Sequence, residues 1–249
     1  MLTYERSGPT GSTPILLLHA GIADRRMWAP QIVALEGAGH RVLAPDLPGF
    51  GDAALEPPTV DYVAFAVDLL DGPTAIVGCS FGGRVALEVA GSRPDLVRRL
   101  VLVAPGLGST AWSEDSKAAF AEEEELLEQG DLAGAAAQQA RMWLAPDASA
   151  DVRELTAAMT VRSYDQQLPV DGEVRAVWPE PSAETRVGEL HVPTLVVVGD
   201  ADRPELLTLA EQLARELPDA RLETIDGAGH LPSLERPDAL NRLLLEFLQ

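Results

Sequence analysis

One cysteine and one lysine stand in this chain of 249 residues, and each scarcity closes off a class of function. A lone Cys79 allows neither an intramolecular disulfide nor a cysteine-cluster metal site, so no metal is expected. A phosphate loop asks for Gly-Lys-Ser/Thr, and the one lysine, Lys117, lies in no such sequence. Positive charge is scarce altogether: 19 basic residues against 39 acidic give a formal net charge of −20. A field of that sign repels phosphate backbones and anionic lipids, so neither nucleic acid nor membrane is expected as a partner. Long apolar runs are missing as well; the longest, residues 14–18, 100–103 and 194–198, fall far short of a bilayer span. The start, Met1-Leu2-Thr3-Tyr4-Glu5-Arg6, has no basic segment leading into an apolar one. No signal peptide is therefore expected, and the cytoplasm is the expected location.

What the chain does have is a stretch where two periodicities meet. Residues 74–77 are short, β-branched and apolar, as befits a strand inside a parallel sheet. From Gly82 onward Val85, Ala86, Val89 and Ala90 recur at helical spacing. Ser80 stands at the break, in Gly78-Cys79-Ser80-Phe81-Gly82. A serine at so sharp a turn is driven towards positive φ, a costly conformation for a residue with a Cβ; Gly78 and Gly82 remove the side chains that would clash. Its hydroxyl then stands clear of the backbone at the positive end of the next helix, as in a Gly-x-Ser-x-Gly nucleophile elbow. The pattern is cheap in a chain with 21 glycines, and on its own a merely tight strand-to-helix turn explains it equally well. An elbow exposes only its central residue, so Cys79 should point into the core as a small hydrophobe; a catalytic cysteine is the minor reading.

Strands are expected over residues 2–6, 14–18, 40–44, 74–77, 100–103, 193–198 and 221–225, with a turn over 7–11. Helices are expected over 28–35, 60–70, 204–217 and 240–248, and after the elbow. Such alternation argues for an α/β fold: a mostly parallel open sheet with helices on both faces. Between residues 106 and 189 the alternation stops. Helices over 113–129, 131–144 and 149–167, the second capped by Asp131, with no strand among them, point to an inserted helical lobe over the strand ends. The expected division is a core of residues 1–106 and 189–249 with a helical cap of residues 107–188. The run Glu122-Glu123-Glu124-Glu125 reads as a solvated helix face. Ligands of such sheets bind at the carboxyl ends of the strands, and His19, Gly21, Asp46, Ser80 and Pro105 each fall just past one.

A serine nucleophile needs a base, and a carboxylate to orient that base. Of four histidines, His40 opens a strand and His191 precedes one, both at the wrong end of the sheet. His19 ends a strand, but followed by Ala20-Gly21 it reads as part of a backbone turn. His230 follows the last strand in the glycine-flanked loop Asp226-Gly227-Ala228-Gly229-His230 and is the best base. Among the strand-end carboxylates Asp46 lies in a proline-bound turn, where a turn-building role fits. Asp226 is too near His230 along the chain. Asp202 is favoured over Asp200, which points away or caps the turn.

Taken together these segments resemble a known family. Leu17-Leu18-His19-Ala20-Gly21, Asp46-Leu47-Pro48-Gly49-Phe50-Gly51, the elbow, Pro193-Thr194-Leu195-Val196-Val197-Val198-Gly199-Asp200-Ala201-Asp202 and Gly227-Ala228-Gly229-His230 are similar to the α/β-hydrolase fold family, as is the chain order Ser80, Asp202, His230. The likeness runs end to end apart from the insert; Ala20 departs from the family's usual glycine. It implies that Ser80, Asp202 and His230 form a catalytic triad, that the backbone N–H groups of Gly21 and Phe81 form the oxyanion hole, and that no cofactor is needed. Ser80 excludes the haloalkane dehalogenases and epoxide hydrolases, which place aspartate at the elbow. Hydroxynitrile lyases pair serine with lysine, and Lys117 lies in an acidic helix of the insert.

Resemblance to enol-lactonases, carboxylesterases and hydrolases of carbon–carbon bonds implies a serine hydrolase cleaving a small ester or lactone through an acyl-enzyme. C–C hydrolysis in vinylogous diketones is the alternative, as is a non-catalytic small-molecule binding or receptor protein on the same fold. Trp112, Phe120, Met142, Trp143, Met159, Tyr164 and Trp178 are candidate pocket walls. Trp112, Met142, Trp143 and Met159 are the substrate-binding residues expected, although a place in the core is the plainer expectation for any one of them. Arg25, Arg26, Arg84 and Arg162 are candidates to meet a substrate carboxylate, with solvation at the surface the plainer fate of each. A monomer and a homodimer fit equally.

Overall fold

The computed structural model describes residues 4–7 and 14–249. In chain order the strands are β1 (Tyr4–Ser7), β2 (Pro14–Leu18), β3 (Arg41–Pro45), β4 (Thr59–Val60), β5 (Thr74–Cys79), β6 (Val97–Val103), β7 (Arg175–Ala176), β8 (Thr194–Gly199) and β9 (Ala220–Ile225). The α-helices are α1 (Ala29–Gly37), α2 (Tyr62–Asp68), α3 (Phe81–Ser92), α4 (Glu114–Glu128), α5 (Leu132–Trp143), α6 (Ala150–Gln167), α7 (Pro204–Glu216), α8 (Pro232–Glu235) and α9 (Pro237–Phe247). The main sheet runs β1-β3-β2-β5-β6-β8-β9. β1 is antiparallel to β3, and the other neighbours in it are parallel. The start of the strand expected over 2–6, and most of the turn expected over 7–11, lie outside the described residues.

Successive strand residues point to opposite faces of the sheet, and here both faces are covered. Leu16, Leu18, Ile76, Leu100, Leu102 and Val196 pack with Val63 of α2, Val85 and Val89 of α3 and Leu213 of α7. Ile15, Leu17, Ala75, Val77, Val101 and Val197 pack on the other face with Ile32 and Leu35 of α1 and Leu240 and Leu244 of α9. That double burial is why the strands read as unbroken apolar runs. Each buried Val, Leu or Ile stabilises the fold by about 1.5–3 kcal/mol.

The chain passes from β2 to β3 on one side, then crosses to β5 on the other, so the strand order reverses between β2 and β5. Open α/β sheets bind ligands at such a reversal. Ser80 directly follows β5, and His19 directly follows β2.

Polar caps set the helix starts. Asp61, Ser113, Asp131 and Ser149 each accept a hydrogen bond from a backbone N–H of the first turn of α2, α4, α5 and α6, a feature that contributes about 1 kcal/mol apiece. The helix expected from residue 60 begins only after Asp61, because Thr59 and Val60 pair in parallel with Arg175 and Ala176. This short bridge is a strand inside the segment expected to hold none. Two residues are too few to leave an alternating pattern in sequence.

Helices α4–α6 reach the loops at the strand ends. Thr160 Oγ1 donates to the Ile22 carbonyl at 3.0 Å, and Gln167 Nε2 donates to that of Gly49 at 3.0 Å. Arg203, at the start of α7, donates from Nη2 to Ser116 Oγ of α4 at 2.9 Å. Among the described residues no helix is long and apolar enough to cross a membrane.

Candidate active site

Ser80 adopts φ 50° and ψ −114°, a sparsely populated conformation that costs about 1–3 kcal/mol. The two glycines make it possible. A Cβ on Gly78 would overlap the Gly82 carbonyl, and one on Gly82 would overlap the carbonyl oxygens of Leu18 and His19. The Ser80 backbone is fully engaged: its N–H donates to Val103 at 2.9 Å, and its carbonyl accepts from Arg84 at 3.0 Å and Gly106 at 3.3 Å. The hydroxyl faces Gly106, where a Cβ would stand 3.5 Å from Oγ. Cys79 is fully buried, its Sγ 3.7 Å from the His230 carbonyl oxygen. Burial, reinforced by the charges of Asp202 and Glu235, pushes its thiol well up and leaves it unreactive.

The tight approach of α3 to the end of β2 sets Gly21 beside Phe81: a Cβ at Gly21 would lie 3.6 Å from that of Phe81. The Gly82 N–H, one residue on, donates to His19 at 3.1 Å. Among the described residues neither the Gly21 nor the Phe81 amide donates a backbone hydrogen bond.

His230 and Asp202 meet across 28 residues of sequence, Nδ1 to Oδ2 at 2.9 Å, with the imidazole 2% exposed and the carboxylate side chain fully enclosed. Asp202 Oδ1 accepts from the Arg203 N–H at 2.8 Å. A neutral ring that donates from Nδ1 offers Nε2 as an acceptor, the state a general base requires. Ser80 and His230 share no hydrogen bond among the described residues. In enzymes without bound substrate such links are often long.

The His230 loop is held from three sides. Its own N–H donates to the Trp143 carbonyl at 2.8 Å. The Trp143 indole lies 4.4 Å from the imidazole, ring centre to ring centre, and donates from Nε1 to Gln139 Oε1 at 2.6 Å. Glu235, buried in α8, accepts from the N–H groups of Ala145 (2.7 Å), Gly229 (3.1 Å) and Leu231 (3.0 Å). Burial raises its carboxyl above the ordinary range, against the pull of those three amides and of His230. Sequence reasoning missed Glu235; the available signal was an acid in the first turn of a proline-started helix five residues beyond His230.

The competing residues serve elsewhere. His19 accepts at Nε2 from the Leu47 N–H at 2.9 Å, and its Nδ1 lies 2.9 Å from the Ala20 carbonyl oxygen, so it braces a turn. Burial holds its pKa below the ordinary value. Asp46 is buried, accepts from the Arg25 and Asp52 N–H groups and pairs with the Arg25 guanidinium. Asp200 is exposed and caps a turn, accepting from the Gly227 N–H at 2.6 Å. Asp226 and His191 are exposed. Among the described residues no cluster of three His, Cys, Asp or Glu side chains suits a metal ion.

Of the expected wall residues, Trp143 covers the imidazole, and Trp112 meets Trp143 edge-on at 5.9 Å. Met142 is half-buried beside Trp143 in α5. Met159 has no exposed surface and sits in the core with Met27 and Trp28. Phe120 and Tyr164 line a groove of about 350 Å³ that includes none of Ser80, Asp202 and His230. Trp178 contacts Phe81 edge-on at 6.0 Å on the elbow side.

A model of the alpha/beta hydrolase family matches residues 15–243. The chain is 30% identical over 256 residues to the pimeloyl-(acyl-carrier protein) methyl ester esterase of Neisseria meningitidis serogroup B / serotype 15 (strain H44/76), covering 98% of this chain and 96% of that protein. It is 27% identical over 259 residues to the carboxylesterase YbfK of Bacillus subtilis (strain 168), covering 97% and 82%. The enol-lactonase from Burkholderia xenovorans LB400 shares the fold, with a TM-score of 0.79 at 21% identity over 99% of this chain and 96% of that one.

Proposed function

The chain belongs to the alpha/beta hydrolase family and is a hydrolase, and on that premise we propose that it cleaves a small carboxylic ester or lactone by acyl transfer to water. The observation that carries this reading is the enclosed His230–Asp202 pair, in a chain that holds Ser80 at positive φ between β5 and α3 and sets the Sγ of its neighbour Cys79 3.7 Å from the His230 carbonyl oxygen.

His230 Nε2 takes the Ser80 proton as Oγ attacks the carbonyl carbon, and the Gly21 and Phe81 N–H groups receive the developing oxyanion. Collapse breaks the C–O bond, and His230 returns its proton to the departing alkoxide. The acyl-enzyme is then hydrolysed by a water that His230 deprotonates. Asp202 holds the tautomer and stabilises the transient imidazolium. Trp143 shields the imidazole, which strengthens both interactions by excluding solvent. Residues 107–188 form the cap that walls the substrate, with Trp112 and Met142 next to Trp143. The reading takes the protein as cytoplasmic and working without metal or cofactor.

Labelling with a fluorophosphonate, followed by a panel of 4-nitrophenyl esters and lactones, tests it. A Ser80 adduct is expected, and Ser80→Ala should lower ester turnover by roughly four orders of magnitude or more, since triads act as a unit. Unlabelled Ser80 with tight binding of panel compounds would turn the reading into a binding protein on the same fold.

A further inference from the structure

Four arginines were open to a substrate carboxylate, and three already have one. Arg25 pairs with Asp46 and Asp52, Arg26 with Asp24, and Arg162 with Asp52. Arg84 has no carboxylate partner among the described residues, in a chain that carries 39 acidic side chains. It sits one turn into the elbow helix, four residues after Ser80, half-buried, with Nε enclosed and without an acceptor. Its guanidinium carbon lies over the Trp178 ring, 3.8 Å from the centroid, and Trp178 in turn contacts Phe81. The acids nearest in sequence and loop are committed elsewhere. Glu88 accepts from Ser182 Oγ and the Ala183 N–H, and Glu184 from the Gly108 and Ser109 N–H groups.

One loop connects Arg84 to the reacting hydroxyl. A Cβ on Gly106 would stand 3.5 Å from Ser80 Oγ, and one on Gly108 would stand 3.2 Å from an Arg84 Nη. The Arg84 N–H donates to the Ser80 carbonyl at 3.0 Å, so the two residues stand one helical turn apart, and their side chains border the same short loop. An enclosed Nε–H without an acceptor is costly to keep, and a planar carboxylate is the group a guanidinium fork fits best. The Trp178 face attracts and holds the guanidinium without neutralising it. In a molecule of net charge −20, such a local cation offsets the repulsion an anionic substrate meets.

Resting on the hydrolase reading above, we propose that Arg84 is a substrate-binding residue, and that the natural ester or lactone carries a free carboxylate which Arg84 receives. Two 4-nitrophenyl esters of equal chain length decide it: the mono-ester of glutaric acid, with a free carboxylate, and the ester of pentanoic acid, without one. The wild type should prefer the acidic ester. Arg84→Met, whose stem can still pack on Trp178, should lower the acidic-to-neutral ratio of kcat/KM by roughly tenfold or more, through KM, and Arg84→Lys should recover part of it. A ratio that stays within about twofold, or a parallel fall for both esters, overturns the proposal and leaves Arg84 as a packing residue. If neither ester turns over, glutarate itself decides. A rise in Tm of the Ser80→Ala protein that is lost in the Ser80→Ala, Arg84→Met double variant supports the anion site, and no rise overturns it. Fluorophosphonate labelling of Ser80 reports the hydrolase reading separately, so either claim can fail alone.

Discussion

Replacing Glu235 by alanine should strip three buried amides of their acceptor at once. Oε2 receives the N–H groups of Ala145 and Gly229, and Oε1 receives that of Leu231. An unsatisfied buried donor costs about 1–3 kcal/mol, so three sum to roughly 3–9 kcal/mol; water entering the vacated space would hold the loss towards the lower end, about 3–5 kcal/mol. Against a total stability on the order of 5–15 kcal/mol, that is a large part of the fold. Glu235→Gln separates stability from positioning. Its single carbonyl oxygen can keep Ala145 and Gly229, but its amide then presents a donor to the Leu231 N–H, and a loss of about 1–2 kcal/mol is expected. Because Gly229 and Leu231 flank His230 on both sides, kcat should fall in the glutamine variant while KM moves little. Urea unfolding gives the first quantity, and ester kinetics at a temperature where both proteins are folded give the second. A loss below about 1 kcal/mol in Glu235→Ala would refute the hydrogen-bond reasoning. An unchanged kcat in Glu235→Gln would refute the role assigned to the loop.

Gly78→Ala places a methyl group against the Gly82 carbonyl, so the elbow must open; denaturation should show a loss of about 1–3 kcal/mol, and turnover should fall with it. A well-folded, fully active Gly78→Ala protein would argue against the tight turn. His19 gives a pH test with a definite sign. Burial depresses its folded pKa below the ordinary 6.5, and its Nε2 must stay unprotonated to accept from Leu47. The stability tied to the neutral ring is therefore present above about pH 6.5 and lost as pH falls through the lower folded value. Tm measured from pH 8 to 5 should drop more steeply for the wild type than for His19→Gln; parallel curves would sink the assignment.

Much of this molecule was legible in one dimension because burial on two faces leaves unbroken apolar strands, and tight turns leave glycines. The parallel strands, the elbow around Ser80 and the helix cap at Asp131 are local features, settled by neighbours within a few residues. The boundaries were less so. Helix α9 starts at Pro237 rather than at residue 240, and the β4–β7 bridge left no pattern at all.

Side-chain partnerships were decided by tertiary structure. The sequence offered Asp202 and Asp200 a few residues apart, but only the path of the loop after β8 sets Asp202 against the imidazole and Asp200 against a turn. Four arginines looked alike until three found acids, and Trp143 and Met159 looked alike until one covered His230 and the other entered the core. For Glu235 the sequence carried only a faint signal, an acid in the first turn of a proline-started helix just past His230, and nothing in it showed that three amides converge on that carboxylate. A backbone conformation depends on residues next to each other in the chain, and so it can be read there. A charge partner or a ring stack depends on which distant segments the collapsed core brings within a few ångströms, and no local pattern records that.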